Sequence, residues 1–209
     1  MEGEKGKGYC VYLLLILAWL MLLVGVFWYI ASREEERKLK SEIIQGSVDI
    51  TQLQTELYTL NVSMQEIKKA ESMTNAVIRD ITKSSYALQT SVVYSILNDR
   101  DVSRSDAFFG MLAQTASHLE QQASGGALNG EMTVEALEQN LQIDMEELCA
   151  FLAGAYEKTV EFFAWQKETY GLKGLNQRTR QEKRSDLEIM KDLYNSILDM
   201  IPAVVEERS

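Results

Sequence analysis

The sequence predicts an all-α protein: a single N-terminal transmembrane helix, then a long helix with coiled-coil character, then an antiparallel helical bundle. Three observations lead there. A 23-residue run from Tyr9 to Ala31 carries no charge. The 209 residues contain one proline, Pro202, so little interrupts helix along the chain. Apolar residues after the run recur at spacings of three and four, and no stretch alternates as a strand does.

The run YCVYLLLILAWLMLLVGVFWYIA covers about 34 Å as a helix, enough for a hydrocarbon core of about 30 Å. Trp28 and Tyr29 sit near its end, where interfacial aromatics belong. A cleaved signal peptide would have a shorter apolar core and small residues at its end, whereas large residues precede Ala31. The flanks leave orientation open. Lys5 and Lys7 precede the run, while Arg33, Arg37, Lys38 and Lys40 follow it among three glutamates. Positive residues alone slightly favour a cytoplasmic C-terminus, yet so short an N-terminal tail is easily retained inside. The expected layout is a tail over 1–8, a membrane helix over 9–31, a membrane-proximal coiled coil over 32–70 and a bundle over 71–205.

Arg33 to about Asn98 reads as helix almost without a breaker. Within it, Ile50, Leu53, Leu57, Leu60, Met64 and Ile67 form a strict heptad seam, extended backward by Leu39 and Ile43 and lapsing at Gly46. This seam predicts self-association as a homodimer. Val77, Ile78, Ile81, Leu88, Val92 and Ile96 continue an apolar side at a looser period, as in bundle packing. Asn98-Asp99-Arg100-Asp101 marks a stop, and Ser103 or Ser105 can cap a helix carrying Phe108, Phe109, Leu112, Ala116 and Leu119. SGGALNG, Ser124 to Gly130, is a loop. Thr133 is the expected cap of a long helix to about Tyr170, and a last helix from Asn176 or Ser185 runs to Ile201, before Pro202.

That long helix has two apolar faces. Leu137, Leu141, Met145, Leu148, Leu152 and Tyr156 lie on one, while Phe151, Phe162 and Trp165 point about 100° away. A helix with two apolar faces is buried between two neighbours or binds a partner. Phe151, Phe162 and Trp165 are therefore the candidate partner patch, set against a plain central-helix role.

Charge and composition exclude several classes. The net charge is −10, all of it after Ser32, which argues against nucleic acid as a partner. With one histidine, His118, and no CxxC or HExxH, there is no zinc-site pattern and no histidine-based triad. Asp144, Glu146 and Glu147 share a helix with Leu141, Met145 and Leu148, as a solvated face does, and Ser84-Ser85 has no base in view. Cys149 has apolar neighbours and reads as an inert buried thiol; Cys10 falls in the membrane run. Asn61-Val62-Ser63 fits a glycosylation sequon. Lys173, Arg178, Arg180, Lys183 and Arg184 form a basic cluster, read as a solvated loop and helix start or as a contact for headgroups, wall polymer or an acidic partner. No catalytic, cofactor or metal residue is expected.

Three stretches carry a resemblance. SSYALQTSVVYSILN (Ser84 to Asn98) looks like a paired-helix segment. AFFGMLAQTASHLEQQ (Ala107 to Gln122) is a phenylalanine-led helix before a glycine-containing loop, and the acidic helix start EMTVEALEQN follows that loop. Together with one membrane helix and a long helix, these resemble the N-terminal region of the spore germination protein YpeB family over roughly two thirds of the chain. Full-length members carry a C-terminal PepSY-type αβ region, of which this sequence shows no strand pattern. The resemblance implies a non-enzymatic bacterial protein of sporulation or germination, single-pass in the spore inner membrane with most of the chain extracytoplasmic. There it would hold or stabilise a cell-wall (cortex) lytic enzyme. No functional residue carries over. The expected function is thus a membrane-anchored scaffold or interaction protein. The alternatives are an extracytoplasmic ligand-sensing bundle or a subunit of a division or secretion complex.

Overall fold

The structure, a computed structural model, describes residues 3–70, 74–98, 102–124, 134–141 and 143–202. Among these the fold is all-α, in the order α1 (Gly3–Ala70), α2 (Asn75–Tyr94), α3 (Ser103–Ser124), α4 (Val134–Leu141), α5 (Met145–Leu172), a 3-10 turn (Leu175–Gln177) and α6 (Arg180–Asp199). The chain divides into two compact units, Met1–Ser41 and Glu42–Ser209. The second unit therefore begins inside α1. The expected boundary near residue 70 moves to residue 42, because the heptad residues beyond it belong to the core of the second unit.

In the first unit, α1 contains the one helix segment among the described residues long and apolar enough to cross a membrane. Its large side chains from Tyr12 to Ile30 are exposed, Phe27 at 77% and Trp28 at 73%, so this is not the core helix of a soluble domain. Arg33 lies over the Tyr29 ring at 5.4 Å, at the end of the apolar run.

In the second unit, each helix turns an apolar stripe inward. The core gathers Leu57 and Leu60 of α1, Ile81 and Leu88 of α2, Phe108 and Leu112 of α3, Leu137 of α4, Leu152 of α5, and Met190 and Tyr194 of α6. The α2–α3 pair runs antiparallel, as Gln89–Asp106 and Arg79–Glu120 show. The α1–α5 pair is also antiparallel. Ser47 meets Gln166, Tyr58 meets Tyr156 and Lys68 meets Glu146, three contacts in one register.

Several element boundaries differ from the sequence expectation, each for a local reason. The helix expected from Arg33 to Asn98 is two: α1 ends at Ala70, and Thr74 caps α2 by accepting from the Val77 amide at 3.4 Å. The second of them ends at Tyr94, with Ser95 as its C-cap, before the Asn98 stop. The long helix to Tyr170 is also two. Asp144 breaks it, extended at φ −65°, ψ 134° and accepting the Glu146 amide at 2.8 Å. The last helix starts at Arg180, behind a Thr179–Glu182 capping box. The glycine-rich loop after Ser124 and the Thr133 cap lie outside the described residues.

Gly46, where the heptad lapses, is a close-approach point. A Cβ there would stand 2.7 Å from Leu97 Cδ2 and 2.8 Å from Met190 Cε. The missing side chain lets the turn after α2 and α6 both reach α1.

Candidate functional site

The six seam residues are consumed inside the chain. Ile50, Leu53, Leu57, Leu60, Met64 and Ile67 are all 1% exposed or less. A heptad seam needs a facing apolar surface, and here the other helices of the same unit supply it. Self-association through this seam is therefore corrected to intrachain packing, since a second copy cannot reach these side chains without opening the bundle.

The aromatic patch is core as well. Phe151 packs edge-to-face on Phe108, with centroids 5.5 Å apart, and Phe162 packs on Phe163 at 5.2 Å and Trp165 at 5.5 Å. Phe151 and Phe162 are buried, and Trp165 is half-buried against Tyr170. Phe151 thus meets α3, while Phe162 and Trp165 close on Phe163 and Tyr170 of α5 itself against the core, and the patch is corrected accordingly.

Two members of the basic cluster are paired locally, Arg178 and Lys173. Arg178 grips Asp186 with two hydrogen bonds of 2.6 Å, Nε to Oδ2 and Nη2 to Oδ1, and stacks over the Tyr170 ring at 5.5 Å. The Tyr170 hydroxyl donates to Asp186 Oδ2 at 3.1 Å. Asp186 and Lys183 are buried. Desolvation first, then the Asp186 charge, raises the Tyr170 phenol well above its ordinary value. Lys173 pairs with Glu182, whose carboxylate also accepts from the Thr179 amide at 2.5 Å. That backbone bond, with help from Lys173, pulls the Glu182 carboxyl down to about 2. This corner anchors the α5–α6 connection, while Arg184 of the cluster stays exposed.

A second polar network joins α1 to the end of α2. Asp49, buried, accepts from Ser95 Oγ at 2.7 Å, the Ile96 amide at 3.2 Å and Gln45 Nε2 at 3.0 Å. The carboxylate thereby satisfies donors released where α2 stops. Nearby Tyr194 is fully buried, and burial raises its phenol.

His118 is exposed and bonds Gln122 at 2.7 Å along its own helix. Glu120 reaches Arg79 at 3.6 Å, and Asp144 and Glu146 serve as helix cap and Lys68 partner. Among the described residues, no group of three or more His, Cys, Asp or Glu could hold a metal. Cys149 is buried, and burial pushes its thiol up, away from the reactive thiolate. Ser84 and Ser85 are buried, and Asn61 lies within α1 with its Oδ1 buried.

Exposed apolar side chains lie elsewhere, where the sequence reading did not place them. One set is on the outer face of α1: Ile44, Val48, Tyr58 and Val62. Beside it runs a shallow groove of about 390 Å³, with Gln166, Tyr170 and Leu175 on its far wall. Another set surrounds the end of α2: Tyr86, Val93, Tyr94 and Ile96.

Comparison with family models, curated proteins and solved structures finds no match to this chain.

Proposed function

We propose that this chain is a single-pass, membrane-held helical module that works by contact with other proteins. The observation that supports it most is the stretch from Tyr12 to Ile30, whose large side chains stay exposed while the helices of the second unit bury their apolar stripes. Leaving so much apolar surface in water is costly, at roughly 25 cal/mol per Å², and a bilayer removes that cost. The exposed apolar residues of α1 and α2 supply contact surface, and the titratable groups with shifted pKa values are engaged in packing and caps.

The bulk of the chain is assigned to the extracytoplasmic side, as the likeness to the spore inner-membrane family implies. The narrower role, a spore inner-membrane protein holding a cell-wall lytic enzyme, is supported by the likeness at Ser84–Asn98 and Ala107–Gln122. Three measurements test this reading. Carbonate washing of membranes should leave the full chain in the pellet, and its recovery in the supernatant would refute the anchor. A reporter fused after Ser209 should be active outside the cytoplasm, and activity inside would reverse the orientation. Affinity capture of the full chain from sporulating cells should retain a cortex-lytic enzyme; its absence would remove the narrower role.

A further inference from the structure

The outer face of α1 repeats the logic of its inner face. Ile44, Val48, Thr51, Thr55, Tyr58 and Val62 are spaced 4, 3, 4, 3, 4, and all six are exposed. On a helix of 3.6 residues per turn they fall within about 40° of one line, opposite the buried seam, and run for about 27 Å. A solvated face opposite a core stripe ordinarily carries charge; this one carries none over five turns. Its threonines are also prepared for burial. Thr51 donates to the Ser47 carbonyl at 2.7 Å and Thr55 to the Thr51 carbonyl at 2.9 Å. Thr59, which flanks the stripe, donates to the Thr55 carbonyl at 3.0 Å. Covering this face would strand no threonine hydroxyl hydrogen.

We propose that this stripe is the seam of a parallel homodimer, with the same face of a second copy of this chain as its occupant. Two arguments select a second copy. Strict alternation of threes and fours is the spacing that keeps two helices in contact as they wind around each other. The positions flanking the stripe, where a coiled coil sets its pairing by charge, are Gln45, Gln52 and Thr59 on one side and Ser47, Gln54 and Asn61 on the other. In a chain of net charge −10, this is a face on which two copies meet without like-charge repulsion. The parallel direction rests on the membrane-held reading above. Two chains fixed in one bilayer present the stripe side by side, and the shared tether raises their effective concentration.

Cysteine cross-linking of the full chain in native membranes tests this. In a background carrying Cys10→Ser and Cys149→Ala, Thr51→Cys and Thr55→Cys each meet their own counterpart across a parallel two-fold seam. Lys83→Cys, exposed on α2, does not. Oxidation should give covalent dimer from the two seam positions and roughly tenfold less from Lys83→Cys, as disulfide geometry demands close Cβ atoms. Adding Val48→Glu and Val62→Glu to the Thr51→Cys chain should lower the yield to the Lys83→Cys level while leaving the melting temperature in place. Equal yields at all three positions, or none at Thr51 and Thr55 from a chain that stays in the carbonate-washed pellet, would overturn the seam. Cross-linking of a chain recovered in the supernatant would instead keep the seam and overturn the anchor, so the two failures are distinguishable.

Discussion

The two faces of α1 between Glu42 and Ala70 carry the same spacing and different residues. The inner face, Ile50 to Ile67, is aliphatic and at most 1% exposed. The outer face, Ile44 to Val62, mixes β-branched residues, threonine and one tyrosine, and Ile44, Val48 and Tyr58 stand just over half exposed. The difference teaches that heptad spacing specifies a seam but not what fills it. Large aliphatic residues close the seam within the chain, where burying each contributes about 1.5–3 kcal/mol. A weaker, uncharged seam can stay open in the monomer without collapsing the fold.

The largest effect that breaks this contrast is on the inner face. Leu57→Asp places an unpartnered carboxylate where exposure is 0% and should destabilise the second unit by about 4 kcal/mol or more. Circular dichroism during urea titration checks it; a cooperative transition at the unaltered midpoint would place Leu57 outside the core. Next is Asp186→Ala, which removes one half of a buried ion pair and leaves Arg178 without its carboxylate. A loss of about 3–5 kcal/mol is expected from the same titration. Asp49→Ala follows, stranding the Ser95 hydroxyl and Ile96 amide at the end of α2, with a loss of about 2–3 kcal/mol. Hydrogen exchange should localise that loss to the Ser95–Asn98 turn. Smaller still is a pH effect. The Glu182 carboxyl has a folded-state value of about 2, lowered from its ordinary 4.5. Its stabilising contribution is present above about 4.5 and is lost as pH falls toward 2. Glu182→Gln should therefore flatten the acid limb of the melting temperature against pH without altering the outer face of α1.

The chain's own patterns show how much of this was legible. The apolar run, the all-α class and the inner seam residues are plain in the spacing. What the spacing could not tell is whether the facing surface lies in the same chain or another, since Leu57 satisfies both equally well. The same ambiguity governs Phe151 and Phe162, which are buried within the chain although their spacing would suit a partner equally well. The break at Asp144 is hidden because Leu141, Met145 and Leu148 keep their periodicity across it, although an aspartate before Glu146-Glu147 is a capping signal. Thr179-x-x-Glu182 is a capping box in plain view among basic residues that draw attention to their charge instead. The pairing of Arg178 with Asp186 crosses that cap, so no helical period announces it. Likewise the outer stripe escapes a count of aliphatic residues, because Thr51 and Thr55 hide their polarity only once their hydroxyls bond the helix's own carbonyls.

The most direct test puts one charged substitution on each face of the same helix in the same full-length chain. Leu57→Asp and Val48→Glu are compared by detergent-solubilised mass and by melting. The account predicts that Leu57→Asp loses the cooperative melt, while Val48→Glu keeps it, with a change within about 0.5 kcal/mol, and shifts the mass from two chains toward one. A folded Leu57→Asp chain, or a Val48→Glu chain that melts normally and keeps the mass of two chains, would contradict it.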